Sequence, residues 1–304
     1  DEEITNQHMD IAKSAQVVLE EVLFHMVNHL HRETRVDKLC LAGGVALNCV
    51  ANGKLLDNTP FRQIFVQPAA GDAGTSIGAA LYVYHHYTHE PRRYQMRDAY
   101  LGPSYSNQEC IDTLTEFGLS YNELTKEELC SKIATLLSEG KLVCWFQGRM
   151  EWGPRALGNR SLLADPRRAE MKDIINCKVK QRESFRPFAP SVLEEKSFNY
   201  FGNPIPSPFM LFAFKVNPDK LKEIPAVTHV DGTARPQTVS KDTNPRYWEL
   251  IKEFEKLTGV PVLLNTSFNV QEPIVCTPED AINCFLKTKV DYLVLNNLLI
   301  KQSS

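Results

Sequence analysis

The densest chemistry in this chain lies between Gly148 and Pro190. From position 149 to 186 it holds ten Lys or Arg (149, 155, 160, 167, 168, 172, 178, 180, 182, 186) against five Asp or Glu (151, 165, 170, 173, 183), about +5 in a chain of net charge -3. A solvated basic face is one explanation. The company these cations keep argues for another, because Gly148, Trp152, Gly153, Pro154, Gly158, Phe185 and Phe188 are interspersed among them. Glycines let a backbone approach a ligand, and guanidinium groups bind phosphate or carboxylate bidentately. The cluster is compact and lacks long lysine runs, which favours a phosphate-bearing small molecule over nucleic acid.

Three polar islands accompany it: Thr228 to Thr238, Asn265-Thr-Ser-Phe-Asn269, and Gln271-Glu-Pro273. Asn265 to Asn269 follows the apolar run Val260-Pro-Val-Leu-Leu264, so its amides and hydroxyls are expected at the carboxyl end of a strand, where ligands commonly bind. Structural turns would also explain each island taken singly. Upstream, Gly43 and Gly44 precede Asn48, which is expected one turn into a helix, on its polar face or against nucleoside hydroxyls. Asp72, after Gly71, suits either the N-cap of the next helix or a metal- or phosphate-site carboxylate. His25 and His29 have metal-ligand spacing but no HExxH-like companion, so a solvated or helix-end role is expected.

These residues need elements to hold them. Ile11, Ala15, Val18, Val22, Met26 and Leu30 recur at helical spacing, predicting one long amphipathic helix over 7–31. Two units then repeat the order strand, glycine turn, helix: 38–42 with 45–56, and 63–67 with 75–86. Each would present free backbone N–H groups and a positive helix end at a strand's carboxyl edge. Neither is a Walker A loop, since no Gly-Lys-Ser/Thr follows. The Pro-, Gly- and charge-mixed stretch 87–105 predicts a domain boundary, giving domains 1–98 and 99–304. In the second, helices are expected near 107–117, 126–138 and 244–257. Strands are expected at 141–146, 209–216, 226–230, 260–266 and 291–301, giving a twisted α/β sheet with long functional loops.

At 304 residues, with 43% hydrophobic and 23% charged residues, the composition is that of a globular two-domain protein. No run approaches the roughly 20 apolar residues of a membrane span, so no membrane partner is expected, and a net charge of -3 without long lysine runs leaves no nucleic-acid partner expected either. Eight cysteines without CxxC spacing, and no signal peptide, predict a reduced, cytoplasmic chain. The first residue is Asp1 rather than Met, so a longer parent is expected.

Six motifs in order, Leu41-Ala-Gly-Gly-Val-Ala-Leu-Asn48, Gly71-Asp-Ala-Gly-Thr-Ser-Ile-Gly-Ala-Ala80, Glu151-Trp-Gly-Pro-Arg-Ala-Leu-Gly-Asn-Arg160, Arg182-Glu-Ser-Phe-Arg-Pro-Phe-Ala-Pro190, Val230-Asp-Gly-Thr-Ala-Arg235 and Asn265-Thr-Ser-Phe-Asn269, together resemble the NodU/CmcH O-carbamoyltransferases over essentially the whole chain. The resemblance implies the end of an actin-like ATPase-type (ASKHA) domain followed by a YrdC-like α/β domain. It implies that the second domain forms carbamoyl adenylate from carbamoyl phosphate and ATP, with Mg2+ on the triphosphate. The first would pass the carbamoyl group to a hydroxylated acceptor of sugar, nodulation-factor or antibiotic type.

Lys180-Gln-Arg182 and Ser267-Phe-Asn269 match the Lys-x-Arg and Ser-x-Asn motifs of YrdC-like sites, so Lys180, Arg182, Ser267 and Asn269 are the expected catalytic set. Arg155, Arg186 and Arg235 are carried over as phosphate or carbamoyl contacts. Gly43, Gly44 and Asn48 are carried over as nucleotide contacts, and Asp72 as a ligand to Fe2+ or another divalent metal. In the family, upstream histidines complete that metal site, so acceptor transfer by this chain alone is expected to be poor. Two rivals predict different behaviour. A threonylcarbamoyl-adenylate synthase would need threonine and bicarbonate, and a non-catalytic interaction module would bind an acidic partner in a salt-sensitive way without forming adenylate.

Overall fold

A computed structural model of the chain describes residues 4–202 and 205–302. It resolves into two compact units, Asp1–Thr88 with Leu211–Ala213, and His89–Met210 with Phe214–Ser304. The break falls inside the Pro- and charge-mixed stretch, upstream of 98/99. The return of Leu211–Ala213 to the first unit has no sequence signal.

In the first unit, α1 (Asn6–Thr34) starts at Thr5, which forms a capping box with His8, and stops where Arg35 turns left-handed at φ 58°. Strands β1 (Lys38–Leu41) and β2 (Gln63–Val66) pair in parallel, Lys38 opposite Gln63 and Leu41 opposite Val66. Between them lie a 3-10 turn at Gly44–Leu47 and α2 (Cys49–Asn58). A second 3-10 turn, Asp72–Gly74, leads into α3 (Thr75–Thr88). Val27, Leu39, Leu55 and Phe61 form the core, with Leu23, Phe24, Leu41 and Ile64 against it. The expected helix is therefore present, but its buried face is not the expected one. Ile11, Ala15, Val18, Val22, Met26 and Leu30 are all exposed, while the packed stripe runs through Glu20, Leu23, Phe24 and Val27. α1 is apolar on more than one face, so periodicity alone could not choose.

The expected strand 209–216 shrinks for a local reason. Ala213 N–H donates to Cys49 O at 2.9 Å, and Leu211 O accepts from Asn52 Nδ2 at 3.0 Å. Gly53 makes this approach possible, since a Cβ there would lie 2.0 Å from Ala213 O.

The second unit runs α4 (Asn107–Glu116), β3 (Asn122–Glu123), α5 (Lys126–Ser138), β4 (Val143–Phe146), β5 (Arg160–Ala164), α6 (Met171–Ile175), β6 (Ala189–Leu193), α7 (Ser197–Phe201), β7 (Phe214–Lys215), β8 (Thr233–Ala234), β9 (Gln237–Val239), α8 (Pro245–Thr258), β10 (Val262–Ser267), α9 (Pro278–Lys287), β11 (Tyr292–Leu295) and β12 (Leu298–Lys301). Among the described residues one mixed sheet has the order β3-β12-β11-β4-β5-β10-β6-β9. β4 with β11 and β6 with β9 are parallel, and the other pairs are antiparallel. The fold is thus mixed α/β with a large mixed sheet.

Its core is dictated by continuous apolar runs. Val143, Cys144, Trp145 and Phe146 of β4 are all buried, as expected of a central strand covered on both faces. α5 and α8 pack together through buried Leu129, Ile133 and Leu137, and Leu250, Ile251 and Phe254. Thr125 with Glu128 caps α5, and Asn244 followed by Pro245 starts α8. The expected strand 291–301 is a hairpin, β11 and β12, turning at Asn296, and the expected strand 226–230 is instead a 3-10 turn at Pro225–Val227. Among the described residues no helix is long and apolar enough to cross a membrane.

Candidate functional site

After α6 the helix widens into one π turn, Asn176–Lys180, and stops at Gln181 with φ 46°. Such turns are uncommon and concentrate at functional sites. This one delivers Lys180, only 2% exposed, to the end of β10. Its Nζ donates to Ser267 O at 2.5 Å and Oγ at 3.2 Å, and to Asn269 O at 2.8 Å and Oδ1 at 2.7 Å. Ser267 Oγ in turn donates to Asn269 Oδ1 at 2.6 Å. Burial, followed by the charge of Arg182, brings the Lys180 ammonium down to about 8.

A cleft of about 440 Å3 opens here, lined by Lys180, Arg182, Glu183, Arg186, Ser267 and Asn269 among others. Arg182 donates from Nε to Asn176 Oδ1 at 2.8 Å and lies over the Phe188 ring at 5.0 Å. Burial, then the neighbouring Arg186, lowers the pKa of its guanidinium. Arg186 is exposed and pairs through Nε with Glu183 at 2.8 Å. Lys180, Arg182, Arg186, Ser267 and Asn269 are therefore assembled from segments almost ninety positions apart. Such a site suits an anion, with charge from the guanidinium groups and a hydroxyl and amide held still by the ammonium.

Arg155 and Arg235 do not line this cleft. Both are half-buried, and their neighbours converge on Asn265. Asn265 Nδ2 donates to Ala156 O at 3.2 Å, Ser191 Oγ at 3.0 Å and Gln237 Oε1 at 3.2 Å, and Gln237 Nε2 donates to Leu157 O at 2.7 Å. Asn265 and Ser267 are two residues apart in β10, so they face the same side of the sheet. The loop bearing Arg155 and the strand after Arg235 are thus tied to the strand that ends at the cleft.

Not every cation of the basic stretch faces outward. Arg160 is fully buried, donates to Gln147 O at 3.0 Å and Asn159 O at 2.9 Å, and sits 3.6 Å from the Phe146 ring centroid. Arg167 is held by Asp165, with the Nη2 to Oδ2 distance 2.7 Å. Glu151 is buried, and its Oε1 accepts from the backbone N–H of Leu157 and Asn159 at 2.7 Å each and of Arg160 at 3.2 Å. Burial raises its pKa despite those donors. Sequence reasoning assigned no role to Glu151, Asn176 or Gln237. Glu151 left one clue, an acid inside an arginine- and glycine-rich loop, whereas Asn176 and Gln237 left none.

In the first unit, Gly43 has φ 99° and donates its N–H to Ala70 O at 2.7 Å. A Cβ on Gly43 or Gly44 would meet nothing within 4 Å, so the turn is open, and at Gly43 the left-handed backbone is what requires glycine. Asn48 stands before α2 rather than inside it. Its Oδ1 accepts from Ala51 N–H at 3.0 Å as the N-cap, and its Nδ2 donates to Gln16 Oε1 at 2.8 Å. Asp72 is exposed and opens the 3-10 turn without a side-chain capping bond, so the capping explanation fails. Gly71 holds the N-cap position instead. Among the described residues no group of three or more His, Cys, Asp or Glu could hold a metal ion, so Asp72 has no partner set that fits one.

Residues 134–302 match the family model described as carbamoyltransferase C-terminus, and residues 2–81 match carbamoyltransferase N-terminus. The chain belongs to the carbamoyltransferase family. It is 47% identical over 303 residues to nodulation protein NolO of Bradyrhizobium diazoefficiens, covering 98% of this chain and 55% of that protein. It is 47% identical to nodulation protein NolNO of Sinorhizobium fredii, covering 98% and 45%. An uncharacterized protein of Synechocystis is 49% identical, covering 99% and 53%. The chain spans about half the length of these relatives. Among solved structures, HypF of T. kodakarensis aligns with a TM-score of 0.39 at 18% identity, covering 57% of this chain and 21% of that one.

Proposed function

We propose that the second unit is the donor-activating part of an O-carbamoyltransferase, a YrdC-like domain that makes carbamoyl adenylate. The first unit, read as part of an ASKHA-type domain, belongs to the half that passes the carbamoyl group to a hydroxyl. The atoms balance if water releases carbamate and phosphate from carbamoyl phosphate, and carbamate then attacks the α-phosphorus of ATP and expels pyrophosphate. Attack by an acceptor hydroxyl on the carbamoyl carbon then yields the O-carbamate and AMP. Magnesium would screen the triphosphate charge.

The observation that carries this proposal is the convergence of Lys180 and Arg182 on Ser267 and Asn269 around one cleft. Two polyanionic substrates repel each other, and fixed cations in a partly dry site lower that barrier. Lys180, fully engaged by Ser267 and Asn269, acts as a fixed charge and as the brace of both side chains. Arg182 and Arg186 offer the mobile oxygens of carbamate and phosphate their guanidinium donors. Arg155 and Arg235 are assigned to the more distant phosphates, through the loops that Asn265 ties down. The acceptor in this reading is a hydroxyl of a sugar, nodulation-factor or antibiotic-type molecule.

The test is carbamoyl-phosphate-dependent release of pyrophosphate from ATP and magnesium. A hydrogen bond to a charged group contributes about 1.5–3 kcal/mol, so Arg182→Ala should lower kcat/KM by about tenfold to a hundredfold. Ser267→Ala should also lower it. Release that required threonine and bicarbonate would replace this proposal with the tRNA-modification reading, and no release under any donor would overturn it.

A further inference from the structure

Asn176 takes no part in the chemistry above, yet its side chain is 1% exposed and every polar group of it is engaged around the cleft loop. Oδ1 accepts from Arg182 Nε at 2.8 Å, while Nδ2 donates to Arg186 O at 3.0 Å and Ser184 O at 3.3 Å. The backbone carbonyl of Asn176 accepts from the N–H of Arg182 at 3.1 Å. The amide cannot be turned over, because that would set one donor against Arg182 Nε and one acceptor against two carbonyls. One buried side chain in the π turn therefore closes the loop from 176 to 186 and grips Arg182 at a defined atom.

Gripping Nε has a specific consequence. A guanidinium offers two bidentate edges, one through Nε and a terminal nitrogen and one through both terminal nitrogens. Asn176 occupies the first, and Phe188 limits rotation of the plane from below. The terminal nitrogens of Arg182 make no hydrogen bond to protein among the described residues, and Arg182 lines the cleft. We propose that Asn176 is a positioning residue that fixes the plane of Arg182, so that its two terminal nitrogens bind paired oxygens of a phosphate or carbamate end-on. This rests on the assignment of the cleft as an anion site and names how that site holds its ligand.

Binding of inorganic pyrophosphate to the full chain, measured by calorimetry at pH 7, tests the coupling in wild type, Asn176→Ala, Arg182→Ala and the double variant. Each single change should weaken binding by about tenfold to a hundredfold. The double variant should be no weaker than Arg182→Ala by more than about twofold if Asn176 reaches the ligand through Arg182, whereas an effect passed on through the carbonyls of Ser184 and Arg186 would add a further loss. Multiplying losses, or full affinity in Asn176→Ala, would overturn the proposal, as would a wild type that does not bind pyrophosphate. A merely structural Asn176 would give multiplying losses.

Should Asn176→Ala fail to fold, Arg182→Lys decides, because that half-exposed position tolerates the change while the ammonium lacks the Nε edge. Arg182→Lys should fall to within about threefold of Arg182→Ala, and wild-type affinity there would overturn the proposal. Pyrophosphate release followed in parallel separates the two levels. Coupling without release overturns the adenylate assignment alone, and release with multiplying losses overturns the role of Asn176 alone.

Discussion

Replacing Lys180 with methionine should remove function while leaving the second unit as stable as before, or more stable. Lys180 is 2% exposed, and the drop of its ammonium from 10.5 to about 8 means the fold bears about 3 kcal/mol against the charged form at pH 7. Methionine keeps the length of the stem and discards that penalty. The loss on the other side is the donor shared by Ser267 and Asn269. Both residues are half-exposed at the cleft, so water can replace the donor, and the cost is about 1–2 kcal/mol.

The net expectation at pH 7 is about 1–2 kcal/mol of stabilisation, with pyrophosphate release reduced at least about tenfold. Urea denaturation followed by tryptophan fluorescence reads the correct unit, since the three tryptophans, Trp145, Trp152 and Trp248, all lie in it. The pH dependence is a second check. Folded Lys180 loses its proton near 8 and unfolded Lys180 near 10.5, so between those values the unfolded chain binds more protons and wild-type stability rises with pH. The gap between wild type and variant should close and then reverse over that window, because the roughly 3 kcal/mol regained exceeds the starting gap. A variant more than about 2 kcal/mol less stable at pH 7, or a gap that ignores pH, would refute this account and make the Lys180 bonds a structural brace.

The same titration predicts that sulfate, whose charge is constant here, binds the cleft less tightly as pH rises through about 8, and that this decline disappears in Lys180→Met; a flat wild-type profile in calorimetry would contradict it. Glu151→Ala leaves the N–H groups of Leu157, Asn159 and Arg160 without their acceptor, so urea denaturation should show a loss of about 3 kcal/mol or more, with Glu151→Gln losing less because it keeps Oε1. Gly158→Ala combines φ 101° with a Cβ placed 2.2 Å from a Tyr247 ring carbon, and should cost about 3 kcal/mol or more in the same assay. A Gly158→Ala protein with wild-type stability would mean that Tyr247 moves freely, against its full burial.

What was legible in the sequence follows what burial and local chemistry dictate. β4 announced itself because a strand covered on both faces must be continuously apolar; α5 and α8 fell close to their expected ranges, and the Thr125 and Asn244 caps that start them are seen in the fold. The packed face of α1 was hidden, since the helix carries apolar residues on more than one face and only the tertiary partner chooses among them. Asn48 and Asp72 were misplaced by a few residues because 3-10 turns precede both helices, and no composition marks a 3-10 turn. The π turn was equally invisible, as five residues are too few to tell one helical period from another. In the cleft, Lys180 and Ser267 were nominated by motif, 87 positions apart, but the ordering of Arg182 by Asn176 is a property of the folded loop alone.

A count of charge treats all ten cations of the basic stretch alike, and the fold does not. Arg160 and Arg167 are consumed inside the protein, one by carbonyls and the Phe146 face, the other by Asp165. Arg160 helps hold a loop that Glu151 gathers and that Asn265 fastens to β10, whereas Arg167 joins Asp165 to the Ser138 carbonyl at the end of α5. Lys180 stands between the two kinds, fully bonded to protein yet still contributing its charge to a cleft open to solvent. Arg182 and Arg186 are left facing that cleft. A positive field assembled this way is fixed before any ligand arrives, so a bound oxyanion need not reorganise the site to be stabilised. The arrangement is unfavourable without an anion, as the lowered pKa of both Lys180 and Arg182 shows. An oxyanion between them would relieve that cost, so two cations disfavoured by burial beside one cleft mark a place where a ligand is expected.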